Sequence, residues 1–121
     1  MSDIVGVRGD TEIYDLTIVD ADGVRIDLTD AELWFTIKVN RTDKDTLALI
    51  RKTTGNGIVH ADQVSPTTRG KASVTLLPAD TVKMLSPYVY YYDVQLKTIA
   101  EEVTTVVSGS FTLQADITFI S

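Results

Sequence analysis

Between Lys71 and Leu77 apolar Ala72, Val74 and Leu76 alternate with polar Lys71, Ser73 and Thr75, the period of a half-buried strand. Pro78 then suits the first turn of a helix, where a missing N–H has no partner to lose. Ala79 to Leu85 complete one or two turns, with Val82 and Leu85 expected to face inward, and Ser86-Pro87 ends them. From Tyr88 the period returns to two. Tyr88, Tyr90, Tyr92, Val94 and Leu96 share one face; Val89, Tyr91, Asp93, Gln95 and Lys97 share the other. Two strands joined by a helical turn suggest a crossing between the two sheets of a β-sandwich.

The same alternation runs through the rest of the chain. Ile4 to Val7 is a short apolar segment, and Arg8-Gly9-Asp10 reads as a tight turn rather than as an integrin ligand. In the strand from Thr11 to Val19, Tyr14, Leu16 and Ile18 oppose Ile13, Asp15, Thr17 and Val19. Asp20-Ala21-Asp22-Gly23 leads to Val24, Ile26 and Leu28 as a hairpin signal. Leu28 to Ala31 turns again into Glu32–Val39, where Leu33, Phe35, Ile37 and Val39 oppose Trp34, Thr36 and Lys38. Leu47 to Lys52 suggests a short strand. Val103 to Phe119 alternates longest, with odd positions inward and only Gly109 interrupting, a sign of a bend, a bulge or the close approach of another side chain.

These periods predict one domain over residues 1–121, an all-β antiparallel sandwich of roughly seven to nine strands with one short helical turn. The expected core is Tyr14, Leu16, Ile18, Leu33, Phe35, Ile37, Val74, Leu76, Tyr90, Tyr92, Val94, Phe111 and Leu113.

At 121 residues with 44% apolar content, the chain is long enough to bury a core without metal or disulfide. It has no cysteine, which removes thiol chemistry. A net charge of −6 with scattered Lys and Arg argues against nucleic acid. With no signal layout or long apolar run, the protein is expected to be made soluble in the cytoplasm, without a membrane partner. Asp20 and Asp22 begin like a calcium loop, but the third acid and the closing Glu are missing. His60 beside Asp62 has no nucleophile motif, so it reads as a surface histidine. Asn40-Arg41-Thr42 matches a glycosylation sequon that carries little meaning without a secretory signal. No enzyme, cofactor or metal is expected.

The order of segments resembles a known family. Its carriers are Arg8-Gly9-Asp10-Thr11, Asp20-Ala21-Asp22-Gly23, Asp27-Leu28-Thr29-Asp30-Ala31 before Phe35-Thr36-Ile37-Lys38, Leu76-Leu77-Pro78-Ala79-Asp80-Thr81, Tyr90-Tyr91-Tyr92-Asp93-Val94-Gln95-Leu96, and Gly109-Ser110-Phe111-Thr112-Leu113. Together they look like the immunoglobulin-like N-terminal domain of tailed-phage baseplate upper proteins and related small virion proteins. The resemblance implies an immunoglobulin-like sandwich in a virion, making contacts with other phage structural proteins in a symmetric, multi-copy assembly. Those baseplate proteins continue into further domains, whereas this sequence stops at Ser121, which points to a stand-alone component. The Cys pair and the tyrosine-corner spacing of antibody domains are absent.

Two function classes follow. The first is a structural protein of a tailed phage particle, in its tail, baseplate or fibre attachment or as a head decoration, docking through Trp34, Tyr91, Ile13, Val19 and Val106, apolar residues out of phase with the core. The second is a carbohydrate-binding module for a host-surface glycan, with Trp34 and Tyr91 as stacking platform.

Overall fold

The computed structural model describes residues 3–44 and 47–115. The chain forms β1 (Ile4–Val7), β2 (Glu12–Thr17), β3 (Glu32–Lys38), β4 (Ile50–Thr54), β5 (Gly57–His60), β6 (Lys71–Leu76), α1 (Pro78–Thr81), β7 (Tyr88–Lys97) and β8 (Val103–Gln114). The expected alternation through Ile117 and Phe119 lies outside the described residues.

The strands do not divide into two sheets. All eight belong to one, in the order β1-β8-β7-β3-β4-β5-β6-β2, coiled until it nearly closes into a barrel. The sheet is also mixed, because β1 runs parallel to β8 and β4 parallel to β5. The immunoglobulin-like antiparallel sandwich is therefore corrected. Alternation reports that each strand buries one face; a sandwich and a barrel both satisfy it, and pairing decides between them. The α1 segment likewise joins strands of the same sheet. It crosses one end of the barrel, since β6 and β7 are separated in the order by β5, β4 and β3.

The interior is filled by side chains, as a barrel of this strand number permits. Leu33, Phe35, Ile37, Val74, Leu76, Tyr90, Tyr92, Val94, Phe111 and Leu113 are buried, with Leu16 and Ile18 beside them. Tyr14 is half-buried and packs edge-on to Phe111, at a centroid distance of 6.2 Å. Phe35 and Tyr92 pack the same way at 5.4 Å. Gly109 stands opposite Tyr92 in the β7–β8 ladder, so the mid-strand glycine faces a large ring. Leu28, Ile50, Ile58, Ala72, Leu96 and Met84 complete the core.

Two phase expectations fail for identifiable reasons. Val82 and Leu85 are exposed, at 45% and 72%, while Thr81 and Met84 are buried. Regular helix ends at Thr81, so helical spacing does not carry through to Leu85. In β8, Val94 opposes Val107 but Gln95 opposes Thr105, which leaves Val106 as the extra residue of a bulge. The bulge shifts the alternation by one. Val106 and Val107 both pack against the core, and Val103 is exposed.

Between β4 and β5 the chain curls so tightly that Thr53 lies beside Gly57. Gly55 and Gly57 take φ of 84° and 98°, conformations open to glycine at no steric cost. An added Cβ on Gly57 would sit 2.6 Å from the Lys52 side chain.

The end opposite α1 is closed by Gln63, which is buried in an irregular loop. Its Oε1 accepts the N–H groups of Leu28 and Gly70, each at 2.9 Å. Its Nε2 donates to the carbonyls of Ala61 at 2.7 Å and Lys71 at 3.3 Å. Gly70 lies so close to the carbonyl of Ile18 that a Cβ would meet it at 2.8 Å.

Met84→Ala should destabilise the fold by about 2–5 kcal/mol and Phe35→Ala by about 3–5 kcal/mol, while Leu85→Ala stays within about 0.5 kcal/mol. Gln63→Leu should cost about 3 kcal/mol or more by stranding backbone groups that the carboxamide now satisfies. Urea unfolding of the four variants checks this ordering.

Candidate functional surfaces

The outer face of β3 and β7 carries the two aromatic residues singled out by phase. Trp34 is half-buried. Its indole N–H donates to Glu32 Oε1 at 2.7 Å, and the Lys97 ammonium lies 5.8 Å from the ring centroid. A period-2 strand places Glu32 and Trp34 on one face, so this cover is local. Tyr91, also half-buried, has the Arg41 guanidinium 4.6 Å over its ring. Tyr91 is paired with Lys38, four residues along β3 from Trp34, which separates the aromatics by about 13 Å. They form two sites, each with its own cation, and not one platform. Beside Tyr91 is a small cleft of about 130 Å³ lined by Thr36, Lys38, Arg41, Asp93, Thr105 and Ser108 among others.

Ile13 and Val19, the other outward expectations, are exposed at 64% and 40%. Val106 does not join them, because the bulge turns it toward the core. The five residues expected to form one docking surface are thus dispersed: Trp34 and Tyr91 lie on the outer face, Ile13 on edge strand β2, Val19 beyond its end, and Val106 against the core.

A more coherent apolar surface lies at the barrel end crossed by α1. Leu77, Val82, Leu85 and Tyr88 are exposed there, at 52%, 45%, 72% and 41%. A groove of about 450 Å³ runs beside them, lined by Val39, Leu49, Met84, Leu85, Tyr88 and Tyr90. The backbone beneath is held firmly. Tyr90 Oη donates to the Leu85 carbonyl at 2.8 Å, Asp80 Oδ2 accepts the Leu77 N–H at 2.7 Å, and Asp80 also pairs with Lys52 at 2.9 Å. Burial pushes the Asp80 carboxyl up, but the Leu77 amide and the Lys52 ammonium outweigh it and leave the pKa below its ordinary value. The Arg8-Gly9-Asp10 segment is the β1–β2 turn and is tied to the same end. Gly9 N–H donates to Thr81 Oγ1 at 2.9 Å, and the Arg8 guanidinium donates to the Val82 carbonyl. Phase reasoning missed this surface because it treated Val82 and Leu85 as core.

The acidic turn is engaged in its own geometry. Asp20 Oδ1 accepts the N–H groups of Asp22 and Val24 at 2.9 and 3.0 Å. Among the described residues no group of three or more acidic, His or Cys side chains is placed to hold a metal ion, and no helix is long and apolar enough to cross a membrane. His60 is half-buried at a strand end rather than free on the surface, with Nε2 2.9 Å from Thr54 Oγ1. Burial lowers its pKa, against a smaller opposing effect of a backbone hydrogen bond with Leu28.

No known family model matches the chain, and no curated protein is similar enough to it to indicate a relative.

His60 yields a pH prediction. Its folded pKa lies below the ordinary 6.5, so the folded state favours the neutral ring. Stability attributable to it is complete above the unfolded pKa and is lost as pH falls from about 6.5 through the folded value. His60→Gln should flatten the melting temperature against pH over that interval, measured by thermal denaturation at constant ionic strength.

Proposed function

We propose that this protein is a structural component of a tailed bacteriophage particle, acting through contacts with other phage structural proteins in a multi-copy, symmetric assembly. The observation that carries the reading is the apolar barrel end, where Leu77, Val82, Leu85 and Tyr88 are exposed beside a groove on a well-anchored backbone. Exposed apolar side chains grouped on a rigid support are characteristic of protein-contact surfaces. The order of turn and strand motifs that resembles phage virion proteins supplies the class of partner. A net charge of −6 opposes nonspecific association before assembly.

The carbohydrate reading has weaker support. A sugar stacks on an open aromatic face, and Arg41 and Lys97 already lie over Tyr91 and Trp34.

The test compares two kinds of variant during particle assembly. Leu85→Glu and Tyr88→Ser replace exposed groups, so melting should change little while incorporation falls. An interface hot spot is worth about 2 kcal/mol or more, roughly thirtyfold in affinity. Trp34→Ala should incorporate normally once any loss of stability is allowed for. Normal incorporation of both barrel-end variants, with failure of a folded Trp34→Ala protein, would move the docking surface to the outer face.

A further inference from the structure

The sheet nearly closes into a barrel, and the seam between its two edges has a definite chemistry. β1 and β2 are the two edges of the sheet. β1 pairs only with Phe111–Gln114 of β8, although β8 begins at Val103. The edge of β8 from Val103 to Ser110 therefore has no strand beside it among the described residues. Across the gap, β2 is paired only with β6.

Near α1 the seam is bridged by side chains. Val7 N–H donates to Glu12 Oε1 at 3.1 Å, and Tyr14 Oη packs so close over Gly6 that an added Cβ would lie 2.7 Å from it. Further along it opens into a cleft of about 490 Å³, lined by Ile4, Leu16, Tyr92 and Val107 within and by Asp3, Ile13 and Asp15 at its margins. Asp3 Oδ1 accepts the N–H of Ser110 at 3.2 Å, so a carboxylate stands where a neighbouring strand would place a carbonyl. The hydroxyl of Tyr14 is buried without a hydrogen-bond partner, and burial raises its pKa.

We propose that this seam is a binding site for an extended segment of another protein, about six residues long, with alternating apolar side chains flanked by Lys or Arg. Free N–H and C=O groups on β2 and on the first part of β8 would form ladders with it, as in strand addition at other sheet edges. Alternate side chains would enter the cleft against Ile4, Leu16, Tyr92 and Val107. An incoming carbonyl would give the Tyr14 hydroxyl its missing acceptor. The requirement for basic flanks follows from charge. Asp3 and Asp15 line the cleft and no Lys or Arg does, on a chain whose net charge is −6. A second copy of the same strongly acidic chain is the less favoured occupant for this reason. The proposal does not depend on the phage assignment.

The probe is a synthetic peptide, Lys-Val-Thr-Val-Thr-Val-Lys, titrated into the full chain while backbone hydrogen exchange is followed residue by residue. Slower exchange is expected in Asp15–Thr17 and Val103–Gly109, beyond the bridged part of the seam. Replacing the central Val by Pro should abolish the effect, and replacing both Lys by Glu should weaken binding about tenfold. Asp15→Lys, at an exposed position, should reverse the charge preference without lowering the melting temperature. The proposal is overturned if protection falls elsewhere, if the proline peptide protects equally, if charge has no effect, or if none of the peptides protects at millimolar concentration. It is also overturned if a dimer protects β2 in the absence of peptide, since the occupant would then be a second copy.

Discussion

A sheet coiled into a barrel must satisfy the backbone groups of the loops that close its ends, and here Gln63 meets that requirement. One carboxamide accepts from Leu28 and Gly70 and donates to Ala61 and Lys71. It thereby ties the loop before β3 to the loop before β6. Buried peptide groups left without partners cost more than an ordinary hydrogen bond gains. Gly70 completes the junction by letting Ile18 donate to its carbonyl at 2.7 Å. The buried ends of Ile18 and Leu28 rest on this arrangement.

The opposite end is solved differently, and the difference has functional weight. There α1 and its trailing segment cross the barrel, tied by Asp80, Lys52, Thr81 and the Arg8-Gly9 turn. Only Thr81 and Met84 of the segment from Leu77 to Leu85 are buried. Its remaining apolar side chains project outward from a fixed backbone. A surface of this kind has already met the entropic cost of ordering before a partner arrives.

The lengths of β1 and β8 explain why part of β8 is left uncovered. β1 has four residues and β8 twelve, so the first strand covers only part of its neighbour. Charged side chains at an edge ordinarily deter unwanted pairing, and Asp3, Glu12 and Asp15 fit that role toward other acidic chains. The same charges select a basic strand. The bulge at Val106 lies along this uncovered edge and turns both Val106 and Val107 toward the core.

The sequence by itself determined the strand-rich character and most of the buried face. Phe35, Val74, Tyr92, Phe111 and Leu113 are legible because a strand alternates strictly between two environments. The turn at Asp20–Gly23, the turn at Arg8–Asp10 and the helix start at Pro78 are legible because their residues have local conformational requirements. Only the tertiary structure decided that the strands form one barrel, since alternation contains no information about which strands pair. It also decided that Val106 turns inward, because a bulge is fixed by the partner strand and not by local pattern. Gln63 carries no local signal of its role: three of its partners lie within eight residues, but its burial and its bond to Leu28 are set by the fold. Phase alone placed Trp34 on the outer face; its cover there combines Glu32, two residues away, with Lys97 from a strand that pairing brings alongside. The apolar barrel end stayed hidden for a related reason: once α1 stops at Thr81, inward and outward are set by what the crossing segment packs against, not by helical spacing.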